Sequence, residues 1–129
     1  MNIDGYALPI KKLKGIEPVE SLDFKGKGLG VASAIVIASL IRDNASLTSL
    51  DVGFNSIGKE AFINLVSIFK EKDQMQSVGL AHCDPGVDGA KAVADYVSVS
   101  GSLTSLDLYD NQIGDEGAKA LGESLHVNG

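Results

Sequence analysis

One period governs this chain: its letters repeat every 28 residues. Ser46-Leu47-Thr48-Ser49-Leu50-Asp51 recurs unchanged, two periods later, as Ser102-Leu103-Thr104-Ser105-Leu106-Asp107. Gly86-Val87-Asp88-Gly89-Ala90-Lys91-Ala92-Val93 recurs one period later as Gly114-Asp115-Glu116-Gly117-Ala118-Lys119-Ala120-Leu121. A fixed period of this length marks a stacked-repeat architecture, because units this small must share their interiors.

With that register four copies align without insertion. Leu22, Leu50, Val78 and Leu106 share one position, and Phe24, Val52, Leu80 and Leu108 stand two residues later. Val19, Leu47, Met75 and Leu103 stand three residues before the first set. Apolar residues two apart, with small or polar ones between, predict a short strand buried on one side. Further along, Ala34, Ile37, Ala38 and Ile41 keep the spacing i, i+3, i+4, i+7 that lines one face of a helix. Phe62, Leu65, Val66 and Phe69 repeat that spacing, as do Ala90, Val93, Ala94 and Val97, and finally Ala118, Leu121, Gly122 and Leu125. Each unit therefore reads as strand, turn, helix and return loop.

One unit cannot bury its own apolar side, so neighbours must stack, strands forming a parallel sheet and helices a second layer. Strands sit about 4.8 Å apart, whereas packed helices need about 8 to 10 Å. The mismatch bends the stack, with the strands on the concave side.

The last copy carries Leu103-x-x-Leu106-x-Leu108-x-x-Asn111-x-Ile113-Gly114-Asp115-Glu116-Gly117-Ala118. In this string, and in residues 19–129 generally, the chain resembles the leucine-rich-repeat family in its ribonuclease-inhibitor-like subtype. The resemblance implies an α/β fold: a right-handed solenoid of four repeats, with parallel strands on the concave face and helices on the convex face. It also implies a structural ladder in the turn after each strand, where an Asn side chain satisfies backbone groups that the bending chain leaves unpaired. Asn55 and Asn111 hold that position, Cys83 takes it in the third copy as the family's usual alternative, and Lys27 departs from the pattern in the first. Residues 1–18, with Leu8, Ile10, Leu13 and Ile16, read as an N-terminal capping segment, and residues 19–129 as the repeat domain. The last copy runs to Gly129 with no polar capping unit, so two readings stay open: a piece of a longer array, or an end covered by a second molecule.

Charge narrows the partners. A formal net charge of −6 argues against a general nucleic-acid footprint, which needs clustered Lys and Arg to neutralise phosphates. The one basic cluster, Lys11, Lys12 and Lys14, is too short for such an arm and reads as the wet side of the capping segment. The opening Met1-Asn2-Ile3-Asp4-Gly5 lacks the basic lead and apolar stretch of a secretory signal. The most apolar run, residues 31–41, is far shorter than the roughly 20 residues that span a bilayer. A single Cys83 allows no internal disulfide, which fits a reducing compartment, so a cytoplasmic location is expected, with neither nucleic acid nor membrane as partner.

No chemistry is signalled. Gly26-Lys27-Gly28-Leu29-Gly30 has neither the dinucleotide nor the P-loop spacing. His and Cys residues are not paired at zinc spacing, and neither His-Glu-x-x-His nor Gly-x-Ser-x-Gly occurs. No base is fixed beside Cys83, since adjacency of His82 in a turn does not make a catalytic pair. The expectation is a non-enzyme with no cofactor and no metal.

Binding is the remaining function. The strand residues between the buried anchors should face the concave side, and their middle row reads Asp23, Asp51, Gly79, Asp107. Asp23, Lys25, Asp51, Asp107 and Tyr109, the aromatic of this face, are the expected contacts with a macromolecular partner, for which the chain would act as an interaction module or scaffold. The acidic row suits a basic protein or is simply a solvated strip. A second candidate is a convex stripe of Ile35, Leu40, Ile63 and Ile68, which would make the chain a self-associating unit, a homodimer through its helices or its uncapped edge. A third, by resemblance alone, is a non-catalytic regulator of an enzyme or small GTPase.

Overall fold

A computed structural model of the chain describes residues 2–3, 5–108 and 111. It opens with β1 (Asn2–Ile3) and β2 (Tyr6–Ala7), paired antiparallel, followed by the single-turn helix α1 (Ile10–Lys14). Three complete units come next. They are β3 (Ser21–Asp23) with α2 (Val31–Ile41), β4 (Ser49–Asp51) with α3 (Gly58–Lys72), and β5 (Ser77–Gly79) with α4 (Gly86–Val99). A fourth strand, β6 (Ser105–Asp107), begins the last unit. The residues expected to form its helix, Ala118, Leu121, Gly122 and Leu125, lie outside the described residues, as does Tyr109.

The four repeat strands form one parallel sheet in the order β3-β4-β5-β6. Its register is the sequence period: Leu22 pairs with Leu50, Leu50 with Val78, and Val78 with Leu106. These anchors and Phe24, Val52 and Leu80 point into one interior, closed on the other side by Ala34, Ile37, Phe62, Leu65, Phe69, Ala90 and Val93 of the helices. Successive helices pack on one another, α2 on α3 and α3 on α4, which places them in a single layer.

The turn after each strand is pinned by the ladder. Asn55 is buried, and its Nδ2 donates to the carbonyls of Phe24, Val52 and Gly53 while Oδ1 accepts from Leu29 N–H. Asn111 bonds the same way two units on, donating to Leu80 and Leu108 carbonyls and accepting from the amides of Cys83 and Asp84. Cys83 donates its thiol to the carbonyls of Val52 and Ala81 at 3.4 and 3.5 Å. Burial pushes that thiol up to about 12, so it stays protonated and serves as a donor.

The return loops have their own fastener. Asn44 is fully buried; its Nδ2 donates to Lys12 and Leu13 carbonyls, and its Oδ1 accepts from the amides of Ser46 and Leu47. One side chain thus ties the end of α1 to the start of the second repeat. Two units later Ser100 Oγ accepts from the amides of Ser102 and Leu103. Its hydroxyl also donates to Asp73, whose carboxyl it and the Gly101 amide hold below the usual range. Within the N-terminal segment Leu8 and Leu13 are buried and Tyr6 meets the Phe24 ring edge-on at 6.1 Å. Ile16, expected to help cover the core, is instead 65% exposed, because the chain has already left α1 through Gly15.

Candidate functional site

The sheet face opposite the helices is a shallow groove of ≈ 350 Å³ that crosses all four strands. Its polar rows are Ser21, Ser49, Ser77 and Ser105, and then Asp23, Asp51, Gly79 and Asp107. Alternation along each strand puts them there, since residues on either side of a buried anchor must point the other way. Every charged side chain lining the groove is therefore a carboxylate.

Those carboxylates are not loose. Asp51 Oδ1 accepts the Gly53 amide at 2.8 Å, and Asp23 Oδ1 accepts the Lys25 amide at 2.9 Å. Each side chain thereby caps the end of its own strand and is held along the strand direction. Asp23 and Asp51 are register partners, their backbones about one strand spacing apart. Two carboxylates at that distance repel by only roughly 0.8 kcal/mol in water. Gly79 interrupts the row before Asp107.

Above this row, at the turn into each helix, stands a feature that the sequence reading missed. Lys25 Nζ lies 5.2 Å over the ring of Phe54. Phe54 also stacks on His82 of the following repeat, with ring centroids 5.3 Å apart and planes 16° from parallel. Phe54 and His82 occupy the same place in consecutive repeats and both have left-handed backbone, φ 56 and 48, where the first repeat has Gly26 at φ 63. Phe54 is 39% exposed and His82 is also exposed, so the column stands at the rim of the groove. The available signal was an aromatic in the solvated turn directly before the ladder Asn, a place where the first copy has glycine.

Of the expected contacts, Asp23, Asp51 and Asp107 come together in the groove, Lys25 joins the rim column, and Tyr109 lies outside the described residues. The convex stripe does not form as read. Ile68 is 1% exposed and Tyr96, its counterpart one repeat later, is 0% exposed, so this flank of the core face is covered and not open to a partner. Ile63 and Leu40 are half-buried, and only Ile35 is largely exposed. What α2 does present is an outer face of Val31 and Ile35, each 52% exposed, on a helix without a charged residue. Among the described residues no helix is long and apolar enough to cross a membrane.

A family profile described as Leucine Rich repeat matches residues 43–65 and 100–122. The mouse (Mus musculus) NACHT, LRR and PYD domains-containing protein 12 is 35% identical over 98 residues, 75% of this chain and 9% of that protein. The ribonuclease inhibitor of Sus scrofa is 29% identical over 108 residues, 83% of this chain and 24% of that protein. The chain thus spans between about a tenth and a quarter of the length of these curated relatives. Among solved structures, Leiomodin-1 Actin-Binding Site 2 superposes with a TM-score of 0.82 over 92% of this chain and 71% of that one, at 12% identity. That likeness is one of fold.

Proposed function

Because this chain is a leucine-rich-repeat protein of the ribonuclease-inhibitor-like type, we propose that its open strand face docks a protein partner. The observation that carries the reading is the groove: it crosses every described repeat strand, and its charged side chains are all carboxylates. Asp23, Asp51 and Asp107 are the contacts in the groove, Lys25 stands at its rim, and Tyr109 is assigned to the same surface from its place in the repeat. The partner presents a basic surface. Buried, protonated Cys83 suits a scaffold in a reducing, cytoplasmic setting. The names of the relatives, an inhibitor of ribonucleases and an actin-binding site, agree with a binding role and leave the partner of this chain open.

A photo-crosslinking residue tests the reading when placed at Ser77 in the groove and, for comparison, at Ser67 on the exposed side of α3. Adducts at Ser77 that disappear in Asp23→Asn/Asp51→Asn/Asp107→Asn support it. Adducts only at Ser67 would show that the helices form the interface.

A second reading is self-association through α2, favoured by the exposed Val31 and Ile35. Light scattering decides it: a dimer lost on Ile35→Glu supports this reading, and a monomer at high concentration removes it.

A further inference from the structure

We propose that the outer face of the Phe54 ring is a seat for a cation, held by Lys25 in the free chain and taken over by an arginine of the bound partner. The inference rests on the groove reading above and adds the identity of an anchoring side chain.

The geometry comes first. An ammonium already lies 5.2 Å over the Phe54 centroid, within the range where the negative face of an aromatic ring attracts a cation. The His82 ring, which comes from the following repeat, stacks on Phe54, so the face toward the preceding repeat, the one that carries Lys25, is assigned to the cation. The backbone that carries the ring is tied to its neighbours: the Phe54 amide donates to Ala81 carbonyl at 2.7 Å, and the Gly26 amide to Gly53 carbonyl at 3.0 Å. Both aromatics sit on left-handed backbone, where a residue with a side chain is disfavoured and glycine costs nothing.

Chemistry then selects the occupant. The groove below carries Asp23, Asp51 and Asp107, so a partner that fits it brings positive charge. Phe54 follows Asp51 by three residues, a separation of at most about 10 Å, within reach of neighbouring basic side chains on one surface. Between the two basic residues, arginine has the advantage on the ring, because its guanidinium is planar, weakly hydrated and stacks on aromatics, whereas an ammonium is compact and strongly hydrated. Lys25 is therefore a displaceable placeholder.

Fluorescent hexa-arginine and hexalysine peptides, titrated into the chain by anisotropy at matched ionic strength, test this. The expected result is that hexa-arginine binds about five-fold more tightly than hexalysine, the scale of one exposed cation–π contact. Phe54→Gly should erase that preference and leave hexalysine binding within about two-fold, since the backbone there already suits glycine. Phe54→Asn, which also tolerates left-handed backbone, should do the same and controls for added flexibility. Lys25→Ala should strengthen both peptides by removing a like charge, and should widen the arginine preference because the seat is vacated. Equal binding of both peptides, unchanged by Phe54→Gly but weakened by Asp51→Asn/Asp107→Asn, overturns the seat and leaves the groove reading standing. Binding of neither peptide overturns both.

Discussion

The carboxylate of Asp51 lies across the bare backbone of Gly79: a Cβ built on Gly79 would come within 2.5 Å of Asp51 Oδ1 and 2.8 Å of Oδ2. The gap in the acidic row is thus the room that Asp51 needs to reach the Gly53 amide. Gly79→Ala should push Asp51 out of that position and lose the bond. A loss of about 1 kcal/mol is expected, a fall of roughly 4 °C in the thermal midpoint. Asp51→Ser in the same chain should recover most of it, and a double-mutant cycle with purely additive costs would show that the two residues are not coupled.

Asn44 is the residue whose removal should loosen the N-terminal segment. Asn44→Ala strips partners from the Lys12 and Leu13 carbonyls and from the Ser46 and Leu47 amides. Only the bonds to Leu13 and Leu47 are buried, and a buried group left unpaired costs about 1 to 3 kcal/mol, so a total of about 3 kcal/mol is expected. Hydrogen exchange should speed up at Ser46 and Leu47, and cleavage by trypsin at Lys12 and Lys14 should outpace cleavage at Lys59. Unchanged cleavage at both lysines would mean that the segment is held by Leu8 and Leu13 alone.

The ladder should be unequal from rung to rung. Asn55 makes four bonds to buried backbone groups, whereas the Cys83 thiol is a weak donor to two carbonyls. Urea unfolding should give Asn55→Ala a cost of about 3 kcal/mol and Cys83→Ala about 1 kcal/mol. Equal costs would say that the rung matters only for filling space.

Cys83 also makes stability depend on alkaline pH. Burial raises its folded value from an ordinary 9.0 to about 12. The folded chain therefore keeps a proton that the unfolded chain sheds, and stability rises wherever the unfolded state holds more protons and falls where it holds fewer. The contribution of Cys83 is fully present below pH 9 and is lost progressively between pH 9 and about 12. Cys83→Ala should flatten that part of the curve of unfolding free energy against pH, and an identical alkaline slope in the variant would assign it to other groups.

How much of this was legible in the letters differs from element to element. Register was: Leu22, Leu50, Val78 and Leu106 align by counting, and they pair in that register because a one-residue slip would turn every anchor to water and a constant repeat length sets each strand level with the last. The acidic row followed from the same alternation. The rim column did not, because nothing in the spacing of Lys25, Phe54 and His82 says that three turns will stack with their side chains face to face. Ile68 was misread for a related reason, since helical periodicity separates core from flank but says nothing about which flank the next helix covers.

What the sequence alone determined is the repeat, and with it the strand-and-helix unit, the parallel sheet and the side that stays open, because periodicity and alternation are local properties of the chain. Only the tertiary structure decided how one unit sits on the next: that Asp51 would lean over Gly79, that Asn44 would reach back to α1, and that a lysine would come to rest on Phe54. The physical reason is distance along the chain. These contacts join residues about one period apart, and their geometry is set by packing between units, which no single stretch of sequence encodes.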